Sequence, residues 1–231
     1  MKKYYFYGDS NTYGYDPRDP FGGCYPENKI WTNILQKLLG DSTAVIADGL
    51  NGRKIPNHKR TIELLEMSLQ REEPLAAFAV MLGSNDLLLC DSRDGDVNTD
   101  EIVKTMEDFL LEIRNFLDHN PEKQVDSGQG RADSEQRKAG LCQGKAYVTE
   151  EHPKILLIAP PPLHYQKNLD SKISEIRTGY QKIAARHGWD YIDTGAWNLP
   201  LAFDGVHLSE EGHRIFAEKM AEWLKRKNQP K

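Results

Sequence analysis

Near the far end of the chain an aspartate stands three residues ahead of a histidine, in Asp204-Gly205-Val206-His207-Leu208. Almost the whole length of sequence earlier, a serine sits in Gly8-Asp9-Ser10-Asn11-Thr12. A serine hydroxyl attacks a carbonyl only when a base takes its proton during the attack. His207 can be that base if Asp204 bonds one ring nitrogen, fixes the tautomer and stabilises the imidazolium, leaving the other nitrogen for Ser10. The attacked carbonyl oxygen then becomes an oxyanion and needs donors already in place. Two further clusters offer them: Asp48-Gly49-Leu50-Asn51-Gly52-Arg53 and Gly83-Ser84-Asn85-Asp86. The backbone N–H groups of Ser10 and Gly49 and the side-chain amide of Asn85 are the candidate donors, and a glycine leaves the backbone open to a substrate. Taken one at a time, each cluster also reads as a helix cap or a tight turn. Asp9, acidic but superfluous to this triad, reads as a turn-bonding residue. The string G-x-S-x-G is absent, so the serine is not the elbow nucleophile of an ordinary α/β-hydrolase.

The elements that must carry these residues follow from the hydrophobic pattern. The runs 4–8, 43–49, 77–83, 154–160 and 189–195 are nearly continuous in apolar residues and end in Gly or Pro. Such runs suit strands covered on both faces, as in a parallel sheet. Between them lie amphipathic patterns. Ile102, Val103, Met106, Phe109, Leu110, Ile113, Phe116 and Leu117 form one stripe, with Thr99 as its expected cap. A last helix is expected after Ser209, with Ile215, Phe216, Met220, Trp223 and Leu224 on its inner face. Alternating strands and helices predict an α/β fold, a doubly wound three-layer α/β/α sandwich on a five-stranded parallel sheet. Sites in such sheets form beyond the C-terminal ends of the strands, where each polar cluster falls. The order of strands is not readable.

At this point the residues resemble a known family, the SGNH or GDSL-type esterases and acylhydrolases, across nearly the whole chain. The segment 8–12 is similar to that family's first motif, Gly49 to the glycine of the second, 83–86 to the third and 204–208 to the last. The resemblance implies a Ser10–His207–Asp204 triad, an oxyanion hole of Ser10, Gly49 and Asn85, and no metal or other cofactor. "TYGYDPRD", "YPENKIWTNIL", "DGLNGR" and "IAPPPL" look similar to a bacterial aryl-esterase and acyltransferase branch that favours short acyl groups and often forms homo-oligomers. Two departures stand out. Asn11 replaces the leucine of the name-giving string, a change expected to touch no catalytic atom. The polar segment 120–152 is longer than the resemblance implies, and reads as a mobile or partly disordered insertion in an otherwise single domain spanning 1–231.

Composition bounds the alternatives. The 231 residues carry a formal net charge of −5 with scattered Lys and Arg, which argues against nucleic acid or an anionic membrane as partner. No apolar run approaches the roughly 20 residues of a membrane span. The apolar stretch after Met1-Lys2-Lys3 ends at Asp9, short for a secretion signal, so a cytoplasmic protein is expected. Cys24, Cys90 and Cys142 are too far apart for a CxxC site and fit no disulfide framework. The expected substrate is a small ester with a short acyl group, the acyl acceptor being water or, in an acyltransferase, an alcohol. Two other readings use the same clusters. A metal-dependent phosphoesterase would ligate through Asp9, Asp48, Asn85, Asp204 and His207. A flavodoxin-like anion binder would cradle phosphate with Ser10, Asn11 and Thr12. Tyr13, Tyr15, Phe21, Tyr25 and Trp31, which follow the serine, suit either a pocket wall or packing of the first loop.

Overall fold

The computed structural model describes residues 1–89, 98–119, 152–165 and 167–228. Five strands form one all-parallel sheet: β1 (Lys2–Gly8), β2 (Thr43–Gly49), β3 (Ala77–Met81), β4 (Lys154–Ile158) and β5 (Asp190–Ile192), in the order β2-β1-β3-β4-β5. The helices are α1 (Ser10–Tyr13), α2 (Trp31–Leu39), α3 (Lys59–Glu72), α4 (Ser84–Leu88), α5 (Thr99–His119), α6 (Lys167–His187) and α7 (Glu210–Lys227).

The continuous apolar runs are strands because they are covered twice. Tyr5 and Tyr7, Phe78 and Val80, and Ile155 and Leu157 meet Ile62, Leu65 and Leu69 of α3, Met106, Phe109 and Ile113 of α5, and Ile173, Ile176 and Tyr180 of α6. The alternate residues Tyr4 and Phe6, Ala77, Ala79 and Met81, and Leu156 and Ile158 meet Trp31 and Leu35 of α2 and Phe216, Met220 and Leu224 of α7. The period-two alternation of each buried strand therefore feeds two cores, giving the expected three layers. Ile215 and Trp223 lie at the edge of the second core, only partly buried.

The chain leaves β1 toward β2 on one side and later steps from β3 to β4 and β5 on the other. The direction of winding therefore reverses between β1 and β3, and a crevice opens at their C-terminal ends. Gly8, the last residue of β1, pairs with Gly49 on one side and Met81 on the other. Three of the four polar clusters thus begin side by side.

Several boundaries differ from expectation for local reasons. The run 77–83 leaves the ladder after Met81, because Gly83 turns with φ of 120° and no side chain fits there. A Cβ on Gly83 would stand 2.7 Å from the Tyr180 hydroxyl, which itself donates to the Leu82 carbonyl. The run 189–195 keeps only three strand residues: Asp193 accepts from the Gly195 N–H and starts a 3₁₀ turn at Thr194–Trp197. Asn98, not Thr99, caps α5, its side-chain oxygen accepting from the N–H groups of Asp100 and Glu101. Thr99 lies inside the helix and bonds Glu175. Ser209 caps α7 as expected, accepting from the Gly212 N–H at 3.1 Å. Of the segment 120–152 only His152 lies among the described residues, and it pairs with Asp118. Cys90 and Cys142 lie outside them too, while Cys24 is exposed.

Candidate active site

The turn that holds Ser10 is built by its neighbour. Asp9 caps α1, its side-chain oxygen accepting from the Asn11 N–H at 2.9 Å and its carbonyl from the N–H groups of Thr12 and Tyr13. Ser10 is therefore the first residue of a single helical turn, standing just past the end of β1. Burial pushes the Asp9 carboxyl up to about 7, against the weaker pull of the Asn11 N–H and Arg53.

The segment 204–207 is held from several sides. The Asp204 Oδ1 accepts from the N–H groups of Val206 at 3.0 Å and His207 at 3.1 Å, closing a tight turn that Gly205 passes through with φ of 67°. The His164 N–H donates to the Gly205 carbonyl, and the Ala202 N–H to that of His207. The Asp204 Oδ2 lies 2.5 Å from His207 Nδ1. Burial alone would raise the Asp204 carboxyl, yet the ring and the two backbone donors together hold it below its ordinary value. His207 Nε2 lies 3.0 Å from Ser10 Oγ. Acid, imidazole and hydroxyl thus form one hydrogen-bonded line, with the Tyr15 ring tilted against the imidazole at 4.5 Å. A line of this kind can pass a proton from hydroxyl to imidazole while the carboxylate offsets the charge.

Gly49 and Asn85 arrive from the neighbouring strands. A Cβ on Gly49 would come within 2.2 Å of the Tyr13 nitrogen and 2.6 Å of the Thr12 carbonyl carbon. Glycine is thus required there first by the close packing of α1, not only by access for a ligand. The Asn85 amide donates one N–H to the Arg53 carbonyl at 3.0 Å; the second N–H has no partner among the described residues. That leaves one donor for a ligand.

Arg53, the last residue of the cluster 48–53, has a central place. Its guanidinium lies 4.0 Å above the Tyr7 ring and donates to the Gly8 carbonyl at 2.9 Å, to the Asp48 carbonyl and to the Asp48 carboxylate at 2.7 Å. Tyr5 donates its hydroxyl to the other Asp48 oxygen. One cation therefore ties the ends of β1 and β2 together, while its own carbonyl holds Asn85. The sequence signal was a lone Arg in a polar loop; the long-range partners depend on the strand order. Asp86 completes this support by accepting from the Ile55 N–H. Asp48 is thereby committed to Arg53 and Tyr5. Among the described residues no three His, Cys, Asp or Glu side chains are grouped so as to hold a metal ion, so the ligand set Asp9, Asp48, Asn85, Asp204 and His207 is not assembled.

The five aromatics after the serine divide. Trp31 and Tyr25 are buried, Trp31 against Phe6 and Phe216. Tyr15 reaches His207, and Tyr13 and Phe21 are exposed. The charges of the same loop pair with each other and with α7: Arg18 with Asp16 and Glu210, and Lys29 with Glu210. His213 is fully buried, its Nδ1 accepting from the Trp31 backbone N–H at 3.4 Å while Nε2 has no partner among the described residues. Burial, and secondarily His207, lowers it to about 4, so it is neutral near pH 7. No described helix is long and apolar enough to cross a membrane.

Comparison with known proteins identifies the family and the fold. No curated protein matches the chain in sequence. Among solved structures, a carbohydrate acetylesterase family member from Sinorhizobium meliloti is 25% identical with a TM-score of 0.69, covering 98% of each chain. An aryl esterase from M. smegmatis is 21% identical with a TM-score of 0.71, over 98% of this chain and 99% of that one. An acetylxylan esterase from Geobacillus stearothermophilus, solved as a catalytic mutant, is 18% identical with a TM-score of 0.60, over 96% and 93%. The profile of the GDSL-like lipase/acylhydrolase family matches residues 6–215, nearly the whole span from the first strand to the last helix, and the chain belongs to that family of carboxylic ester hydrolases.

Proposed function

We propose that this ester hydrolase is a serine esterase acting on short-chain esters, such as acetyl, aryl or sugar-acetyl esters, through an acyl-serine intermediate. The observation that carries the reading is the line from Ser10 Oγ through His207 to Asp204, at 3.0 and 2.5 Å. In the first half-reaction Ser10 Oγ bonds to the ester carbonyl carbon as His207 Nε2 takes the hydroxyl proton. The negative charge moves to the carbonyl oxygen, facing the N–H groups of Ser10 and Gly49 and the second N–H of Asn85. The ester C–O bond then breaks and His207 returns the proton to the departing alcohol or phenol. In the second half, water repeats the attack with the same base and releases the acid. An alcohol in place of water would make the same site an acyltransferase, since both acceptors need only that base.

Two features support a compact acyl group. Ser10 is only 7% exposed. In the loop after β1, Arg18 and Lys29 are held in ion pairs with Glu210 of α7 and Asp16 pairs with Arg18, which keeps charge rather than an apolar trough on this side. The solved structures named above, an aryl esterase and two acetylesterases by title, lie on the same side of the question.

The test is covalent labelling with a fluorophosphonate. The adduct is expected on Ser10 by mass spectrometry, with labelling lost in His207→Ala and kcat reduced by about 10⁴ or more in Ser10→Ala. An adduct on another serine, with activity abolished, would overturn the assignment.

A further inference from the structure

Asn11 stands where the name-giving motif has leucine, and nothing in the chemistry of Ser10 itself calls for an amide. Its side chain is nevertheless engaged at both ends. Oδ1 accepts from the Leu208 N–H at 2.8 Å, and Nδ2 donates to the Val206 carbonyl at 3.4 Å. These are the backbone groups immediately before and after His207. Asn11 is 2% exposed, so water does not compete for either bond. The residue is itself immobilised: its N–H donates to Asp9 and its carbonyl accepts from the Trp31 indole N–H at 2.9 Å. Among the described residues, the only hydrogen bonds between the turn 10–13 and the segment 204–208 are these two and the Ser10–His207 bond.

We infer that Asn11 is a positioning residue for His207, an amide bracket that sets the separation between the nucleophile and its base. The inference rests on the Ser10–His207 reading proposed above. The physical logic is a short rigid path. Ser10 and Asn11 are consecutive in one helical turn, so any displacement of residues 206–208 relative to that turn must stretch one of the two amide bonds. The Ser10 Oγ to His207 Nε2 bond alone is weak restraint, because both side chains rotate. With the bracket in place, the backbone on each side of the imidazole keeps its distance from the serine through acylation and deacylation, when the ring alternately holds and releases a proton. A neutral amide does this without adding a charge beside the imidazolium. A leucine at this position fills similar volume but neither donates nor accepts.

The experiment compares Asn11→Leu and Asn11→Asp with the parent enzyme on p-nitrophenyl acetate, with rates expressed per serine titrated to completion by a fluorophosphonate. Asn11→Leu is expected to lower kcat about 10- to 100-fold with KM within twofold, a loss of the kind misplaced catalytic groups produce. The rate of fluorophosphonate inactivation should fall by the same factor, because the same base serves it. Asn11→Asp keeps an acceptor for the Leu208 N–H, but its carboxylate sets an oxygen against the Val206 carbonyl and a charge beside the imidazolium, so its kcat should also fall below the parent's. If Asn11 merely served folding, each titrated molecule would turn over at the parental rate, and that result would overturn the inference. So would a loss confined to KM. Where Asn11→Leu does not fold, the near-isosteric Asn11→Asp carries the test, with parental kcat and inactivation rate as the refuting outcome. Ser10→Ala in the same series separates two failures. If it retains activity, the reading of the site falls; if it is inactive while the Asn11 variants run at the parental rate, only the bracket falls.

Discussion

Asp204→Asn changes one atom, and the hydrogen bonds around that atom say what should follow. Oδ1 accepts from two backbone N–H groups, those of Val206 and His207, and backbone nitrogens can only donate. The new amide must therefore keep its oxygen toward them, which turns its NH₂ group onto His207 Nδ1. Reversing the amide would set two donors against two donors, at a cost of about 1–3 kcal/mol for each group left unsatisfied. With NH₂ facing it, Nδ1 must carry the lone pair, so the ring proton moves to Nε2. Nε2 then points an N–H at Ser10 Oγ where a lone pair is needed, and the charge that stabilised the imidazolium is gone as well. A loss of about 10⁴ in kcat is expected, or about 5.4 kcal/mol in barrier, with KM little changed. The turn itself should survive, so the thermal midpoint should move little. Asp204→Ala supplies the contrast. It frees the ring to take the useful tautomer but leaves two backbone donors unbonded, so it should lose less kcat and more stability. The assay is steady-state hydrolysis of p-nitrophenyl acetate with a melting curve for each variant. If Asp204→Asn kept kcat within tenfold, Asp204 would be a turn residue only and the tautomer argument would be wrong.

Three further outcomes are expected. Asn85→Ala should lower kcat by about 10²–10³ with little change in KM, since its unpaired N–H is needed only when charge develops; a shift in KM and thermal midpoint with kcat intact would make the residue a support for Arg53 alone. Stability should carry two opposed pH terms. Asp9, raised to about 7, holds its proton when folded and sheds it near 3.8 when unfolded, so its contribution falls as pH rises through that window. His213, lowered to about 4, is neutral when folded while the unfolded residue is protonated up to about 6.5, so its contribution is lost as pH falls through that range. Asp9→Asn removes the first term, and its thermal midpoint relative to the parent should climb from pH 4 to pH 7, by up to about 1.4 kcal/mol of stability per unit; a constant offset would refute the argument. Finally, kcat/KM should fall from p-nitrophenyl acetate and butyrate to octanoate and palmitate. A steady climb beyond octanoate, at about 0.8 kcal/mol per buried CH₂, would reveal an apolar trough.

What sequence could and could not reveal divides along a physical line. The strands were legible because burial on both faces leaves uninterrupted apolar runs, and only their ends were misjudged. There, turn chemistry competes with the run: Gly83 cuts β3 short and the Asp193 cap cuts β5. Asn98 was overlooked as a cap because Thr99 beside it is also a capping type. Ser10, Asp204, His207 and Asn85 stood out because their types and spacing suit one reaction. The partners of Arg53, Tyr15 and Asn11 were not legible, because each lies far along the chain. The Asn11 amide bonds residues 195 and 197 positions away, and Arg53 reaches Gly8 only because β1 lies beside β2. Position in a sheet order cannot be read from a local string. The same applies to His213, which no local pattern marks as buried and which becomes a neutral core group once α7 docks on Trp31.

Ser10 follows the first strand, whereas His207 lies 197 residues further on, just ahead of the last helix. A ribosome therefore delivers the serine at the outset and the imidazole almost at the end of the synthesis of this sheet. On the proposed triad, the Ser10 hydroxyl of a growing polypeptide should stay unreactive until α7 seats against α2 and brings residues 206–208 to Asn11. In a refolding flask the same geography makes turnover the last signal to return, since closing so long a loop is slow compared with forming local helices. Product release would then count finished molecules while circular dichroism counts helical turns, and the lag between the two would time the closing of the chain.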